Sequence, residues 1–142
     1  MYPEGRLTLA QRQQLQQGLQ SVLKPFNEGR KPMMLWCRLK AEQAFRARES
    51  SGLVSVSLIL PDGTSEKVRN TLLRAVNDLW LAMGQDDRDL MIAGLDSATF
   101  NPVQRSLLMR LSPMARLAFV LKTLGRLVTS RARTGLAEYA LD

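Results

Sequence analysis

The sequence predicts an α+β fold, mostly helical, in which one β-hairpin of the N-terminal half packs on about four to five helices. Residues 1–142 form a single domain in this reading, with 1–7 and 134–142 frayed. Three observations lead there. Hydrophobic residues make up 45% of the chain, enough to bury one core. A β-branched, alternating run, Leu53 to Leu60, is closed by Pro61-Asp62-Gly63. The flanking segments carry apolar residues at helical spacing.

The first helix is expected from about Thr8 to Leu23. Leu15, Leu19, Val22 and Leu23 share one stripe, glutamines surround it, Thr8 can cap it and Pro25 stops it. Gly18 weakens its middle. From Leu35 to Ala47 apolar residues alternate with charged ones, the mark of a half-buried strand, although Lys40 to Arg48 is also rich in helix formers. Glu49 to Gly52 would then be the hairpin loop, and Leu53–Leu60 the second strand. Ser65 to Met83 sets Val68, Leu72, Val76, Leu79 and Met83 on one face, with Gly84 as the stop. Asp86 to Leu95 reads as a short helix with acids in its first turn. Asn101-Pro102-Val103-Gln104 opens a helix reaching Leu111, and Ser112-Pro113 opens the last one, to about Ser130. There Met114, Leu117, Ala118, Leu121, Leu124 and Val128 are expected to form a buried stripe.

Charge is distributed unevenly. The net is +7, made of +6 over residues 1–48, −4 over 49–96 and +5 over 97–142. No acid occurs between Asp96 and Glu138, while Arg105, Arg110, Arg116, Lys122, Arg126, Arg131 and Arg133 lie in that gap. Six of these seven are arginines, whose planar forks suit phosphate. A basic segment without neutralising acids is the footprint of a polyanion partner, though a solvated helix face would look the same.

Several chemistries are excluded or unsupported. With no histidine, nucleophilic catalysis with a histidine base is excluded, and zinc is disfavoured with a single cysteine. Cys37 lies in an apolar run and is expected to be a small buried hydrophobe. Asp86, Asp87 and Asp89 are explained by a helix N-terminus without a metal. Gly94 to Phe100 has residues suited to the turn of a DNA-reading helix-turn-helix. Leu90 is too large for close helix packing there, however, and Pro102 would break the second helix, so an ordinary interhelical turn is expected. Trp80 falls beside its helix's core stripe and reads as core.

The functional expectation is a non-enzymatic, nucleic-acid-binding regulatory or accessory protein, with DNA favoured over RNA and no cofactor or metal. Its phosphate contacts would come from the two proline-started helices and from Arg131 and Arg133. A basic ribbon, the even face carrying Arg38, Lys40, Arg46 and Arg48, would add to them. Transcription regulation and a homodimer belong to this reading. The alternative is an adaptor or inhibitor that binds an acidic protein partner. With no secretory signal and no apolar run long enough to span a bilayer, the expected compartment is the cytoplasm, without membrane attachment.

Overall fold

The computed structural model describes residues 1–27, 32–40, 45–46, 49–50, 52–98 and 109–140. Tyr2–Pro3 forms β1, and Thr8 then caps α1, Leu9–Leu23. The Thr8 hydroxyl accepts from the Gln11 amide while the Gln11 side chain accepts from Thr8 N–H, a reciprocal capping box. A 3-10 turn, Lys24–Phe26, ends the helix at Pro25. The chain returns as β2, Trp36–Leu39, which pairs parallel to β1.

The second half repeats this plan. β5, Val54–Leu60, leads into α2, Glu66–Ala82, and then β6, Leu90–Asp96, parallel to β5 from Val54↔Leu90 to Leu60↔Asp96. Ser65 caps α2 by accepting from the Val68 amide. Between the halves, β3 (Phe45–Arg46) and β4 (Glu49–Ser50) form a two-residue antiparallel pair. The last helix, α3, spans Pro113–Thr134. Gly135, at φ 75°, closes it in the left-handed conformation that suits glycine, and β7, Glu138–Ala140, then pairs parallel to β2.

Two backbone bonds join the halves. Met1 N donates to Ser55 O at 2.5 Å and Ser55 N donates to Met1 O at 2.8 Å, the mutual exchange of an antiparallel pair. Two small parallel sheets, in the orders β7, β2, β1 and β5, β6, thus meet edge to edge at Met1 and Ser55, with α1 and α2 packed against them. Gly18 marks the helix crossing, because a Cβ there would stand 2.5 Å from the Leu79 methyl carbons of α2. The core between helices and sheet holds Leu15, Leu19, Leu58, Leu72, Val76 and Trp80, the last fully buried with its indole N–H on Asp86 O at 2.7 Å. Arg6 adds a tie between the halves, bonding Gln85 and Asp89 and lying over the Trp80 ring.

Several expectations are corrected. The strands are not one hairpin: β2 pairs β1 and β7 while β5 pairs β6, so two parallel βαβ units take its place. Alternation identifies a strand but is silent about its partner. Three α-helices have described bounds, fewer than the four to five expected. The Asp86–Leu95 helix is a 3-10 turn, Asp87–Asp89, followed by β6. Its apolar run, Leu90 to Leu95, is needed in the sheet, where Leu90 and Ile92 pack toward the core. Gly94, Leu95 and Asp96 are therefore strand residues, which removes the helix-turn-helix turn. The helix expected over 102–111 falls largely outside the described residues. Within the segments expected to fray, Tyr2, Leu7 and Leu136 are buried, and residues 141–142 lie outside the described residues. Among the described residues, no helix is long and apolar enough to cross a membrane.

Candidate anion-binding cleft

On α3 the residues Lys122, Arg126 and Arg133 recur at i, i+4 and i+11, which puts them on one face of the helix. That face meets the edge of the sheet at β7, and between them lies an open cleft of about 780 Å³. Arg12 of α1, Arg38 of β2, Lys122, Arg126 and Arg133 line it, with Thr129, Ser130, Tyr139 and Glu138. Five cations thus face one carboxylate.

A buried network forms its floor. Arg12 Nη1 donates to Glu138 Oε2 at 2.7 Å, with side chains only 14% and 12% exposed. The Tyr2 hydroxyl donates to Glu138 Oε1 at 2.5 Å and accepts from Arg12, whose guanidinium also lies over the Tyr2 ring. Burial and the neighbouring carboxylate push the Tyr2 hydroxyl well above its ordinary range, so it remains a proton donor. Arg38 leans on Glu4 at 3.2 Å and on Glu138 at 3.8 Å. Arg12 Nε is buried and has no acceptor among the described residues. Long-range pairing explains these placements. The β2–β7 register sets Trp36 opposite Glu138 on the α1 side, and Trp36 Nε1 donates to Gln16 of α1 at 3.0 Å.

Of the basic residues singled out in the sequence, the cleft gathers Arg38, Lys122, Arg126 and Arg133. Arg131, two residues before Arg133, stands on the opposite side of α3 and lies outside it. Arg116 folds back on the turn before its helix, donating to Leu111 O at 2.9 Å and to Met109. Arg110 is exposed in that same turn, and Lys40 follows β2, both away from the cleft. Arg105 and Arg48 lie outside the described residues, as does the Arg46 side chain. Of the even face of 36–48, β2 ends at Leu39 and Trp36 is buried, while residues 41–44 and 47–48 lie outside the described residues. Sequence reasoning missed Arg12 and Glu138. The available signal was Arg12 standing as the lone cation in the glutamine-rich α1.

No protein family and no curated protein matches the sequence. Solved structures do. One, native Ps01740, superposes with a TM-score of 0.61 at 23% identity, covering 67% of this chain and 88% of that one. Another, the wild-type symmetric trimer of a Q0 fused 4-OT, gives 0.53 at 17% identity, covering 67% and 80%. The likeness is one of fold. Cys37 is buried, and among the described residues no histidine, cysteine or acidic group forms a metal-holding cluster.

Proposed function

We propose that this chain binds a compact anion, a small molecule bearing carboxylate or phosphate groups, in the cleft between α3 and β7. One observation carries the reading: Arg12, Arg38, Lys122, Arg126 and Arg133, drawn from three separate elements, converge on one hollow that holds a single acid among its lining residues. Guanidinium forks match carboxylate and phosphate oxygens in pairs, and Thr129 and Ser130 add hydroxyl donors beside them. Glu138 is held by Arg12, Arg38 and the Tyr2 hydroxyl, which makes it an anchor for the cations rather than a free base. The reading is therefore one of binding.

Calorimetric titration with inorganic phosphate, citrate and a nucleoside monophosphate at fixed ionic strength tests it. At least one of these should bind at one site per chain, and the double variant Lys122→Gln/Arg133→Gln should weaken it about tenfold or more, by the roughly 1.5–3 kcal/mol of a hydrogen bond to a charged group. Absence of saturable binding by all three would overturn the proposal.

A second reading, phosphate-backbone contact with nucleic acid, is favoured by the acid-free stretch between Asp96 and Glu138. It rests on the same cations, without Arg116 and Arg131. It requires that log affinity for DNA fall linearly with log salt, with a shallower slope in the double variant.

A further inference from the structure

Gly125 stands in the middle of α3, and nothing in the fold requires glycine there. α3 buries none of its residues, and the stripe Met114, Leu117, Leu121, Leu124 and Val128, expected in the core, is 53–76% exposed. A Cβ added at Gly125 would meet nothing within 4 Å, so no neighbouring element crosses the helix at that point. At Gly18, by contrast, Leu79 fills the space. The Gly125 backbone is also outside the left-handed region that Gly135 occupies, so any residue could adopt it. Alanine would make the better helix.

What surrounds Gly125 is the anion cleft. On a helix surface the residues three and four positions away are the neighbours, here Leu121, Lys122 and Thr129. All three line the cleft with Gly125 itself and Arg126, and Tyr139 and Ala140 of β7 line it from the sheet. The missing side chain leaves a shallow depression, bounded along the helix by Leu121 and Thr129, whose Cα atoms are about 12 Å apart along the axis. The helix ladder already uses the Gly125 N–H and C=O, so the depression offers an anionic oxygen no donor of its own. A flat apolar group, however, can cover the bare backbone beside Leu121 without stranding a polar atom. Guanidinium groups such as that of Arg126 lie on aromatic faces as well as gripping oxygens.

We infer that Gly125 selects the ligand of this cleft: an anion carrying an aromatic ring, with the ring seated on Gly125 between Leu121 and Thr129. Lys122 and Arg126, at the side of the depression, then hold its anionic group. The inference rests on the anion reading above and narrows it from any compact anion to an aromatic one. Gly125 is a specificity-determining residue in this account, and its cost to the helix is what keeps the seat open.

Calorimetric titration of the full chain with inorganic phosphate, methyl phosphate and phenyl phosphate, at fixed pH and ionic strength, tests it. The unaltered chain should bind phenyl phosphate about tenfold more tightly than methyl phosphate, which a burial of roughly 50–60 Å² of ring would supply. Gly125→Ala should reduce that ratio and Gly125→Gln, which fills the depression, should bring it close to one, while inorganic phosphate binds all three proteins alike. Circular dichroism should show helicity kept or raised in both variants, so that a lost preference is not a lost fold. Equal affinity for the methyl and phenyl esters in the unaltered chain would overturn the inference. So would a preference that survives Gly125→Gln. In both cases saturable binding of inorganic phosphate would leave the anion reading standing. Binding by none of the three probes would overturn both.

Discussion

Removing the Arg12 guanidinium leaves the Glu138 carboxylate, only 12% exposed, without its closest cation. Truncating one partner of a pair this deep costs more than the pair is worth, since the other charge remains desolvated. Arg12→Ala is expected to lower unfolding stability by about 3 kcal/mol, measured by urea titration at neutral pH. The same cluster sets an alkaline limit. Burial and Glu138 raise the Tyr2 hydroxyl above its ordinary value of 10.0, and burial and Cys37 raise that of Tyr139. Above pH 10 the unfolded chain releases protons that the folded chain retains, so unfolding gains and stability falls; below it this contribution is fully present. The urea midpoint should decline from about pH 10 upward, and less steeply in Tyr2→Phe, although that variant starts from a lower stability at pH 7. An equal slope in both proteins would mean that Tyr2 does not carry the effect.

At the scale of elements, Gly18 shows how packing overrides propensity. Alanine is worth roughly 1 kcal/mol more than glycine inside a helix. Here, however, its Cβ would meet the Leu79 methyl carbons at 2.5 Å, and Leu79 packs against the core. Gly18→Ala should therefore lower the thermal midpoint, with overpacking costing about 1–3 kcal/mol. A raised midpoint would show that Leu79 re-packs freely. By contrast, Ser112 acts at an exposed helix end, where its hydroxyl accepts from the Ala115 amide at 3.3 Å. Ser112→Ala should cost only about 1 kcal/mol and show chiefly as lost α3 helicity by circular dichroism.

These elements also show what the sequence could and could not disclose. The starts of α1, α2 and α3 were legible because capping is local: Thr8 with Gln11, Ser65, and Ser112 before Pro113 each announce a helix within four residues. β6 was not, because Leu90 to Leu95 is a short continuous apolar run, equally suited to a helix until a parallel neighbour is known. That neighbour, β5, lies thirty residues away across α2, and no local pattern encodes such a pairing. The α3 stripe was read correctly as apolar and wrongly as buried. Periodicity tells which residues share a face and not what that face meets. Arg38, Lys122, Arg126 and Arg133 stand out in the sequence as cations that could act together; Arg12 and Glu138, which complete the cleft, come from segments distant in sequence that only the tertiary fold brings side by side.

At the scale of the whole molecule, two βαβ units joined through β1 and β5 form a platform, and α3 stands at its β7 edge with one face basic and the other apolar. The basic face gives the cleft, and the anion reading depends on these particular cations responding together. The most direct measurement follows the arginine side-chain Nε–H signals by NMR while inorganic phosphate is added at constant ionic strength. Signals of Arg12, Arg38, Arg126 and Arg133 should shift in saturable fashion with one common dissociation constant, and those of Arg110, Arg116 and Arg131 should stay in place. Uniform, non-saturating shifts across all of them would mean that phosphate senses only the overall positive charge, and the cleft would lose its assigned role.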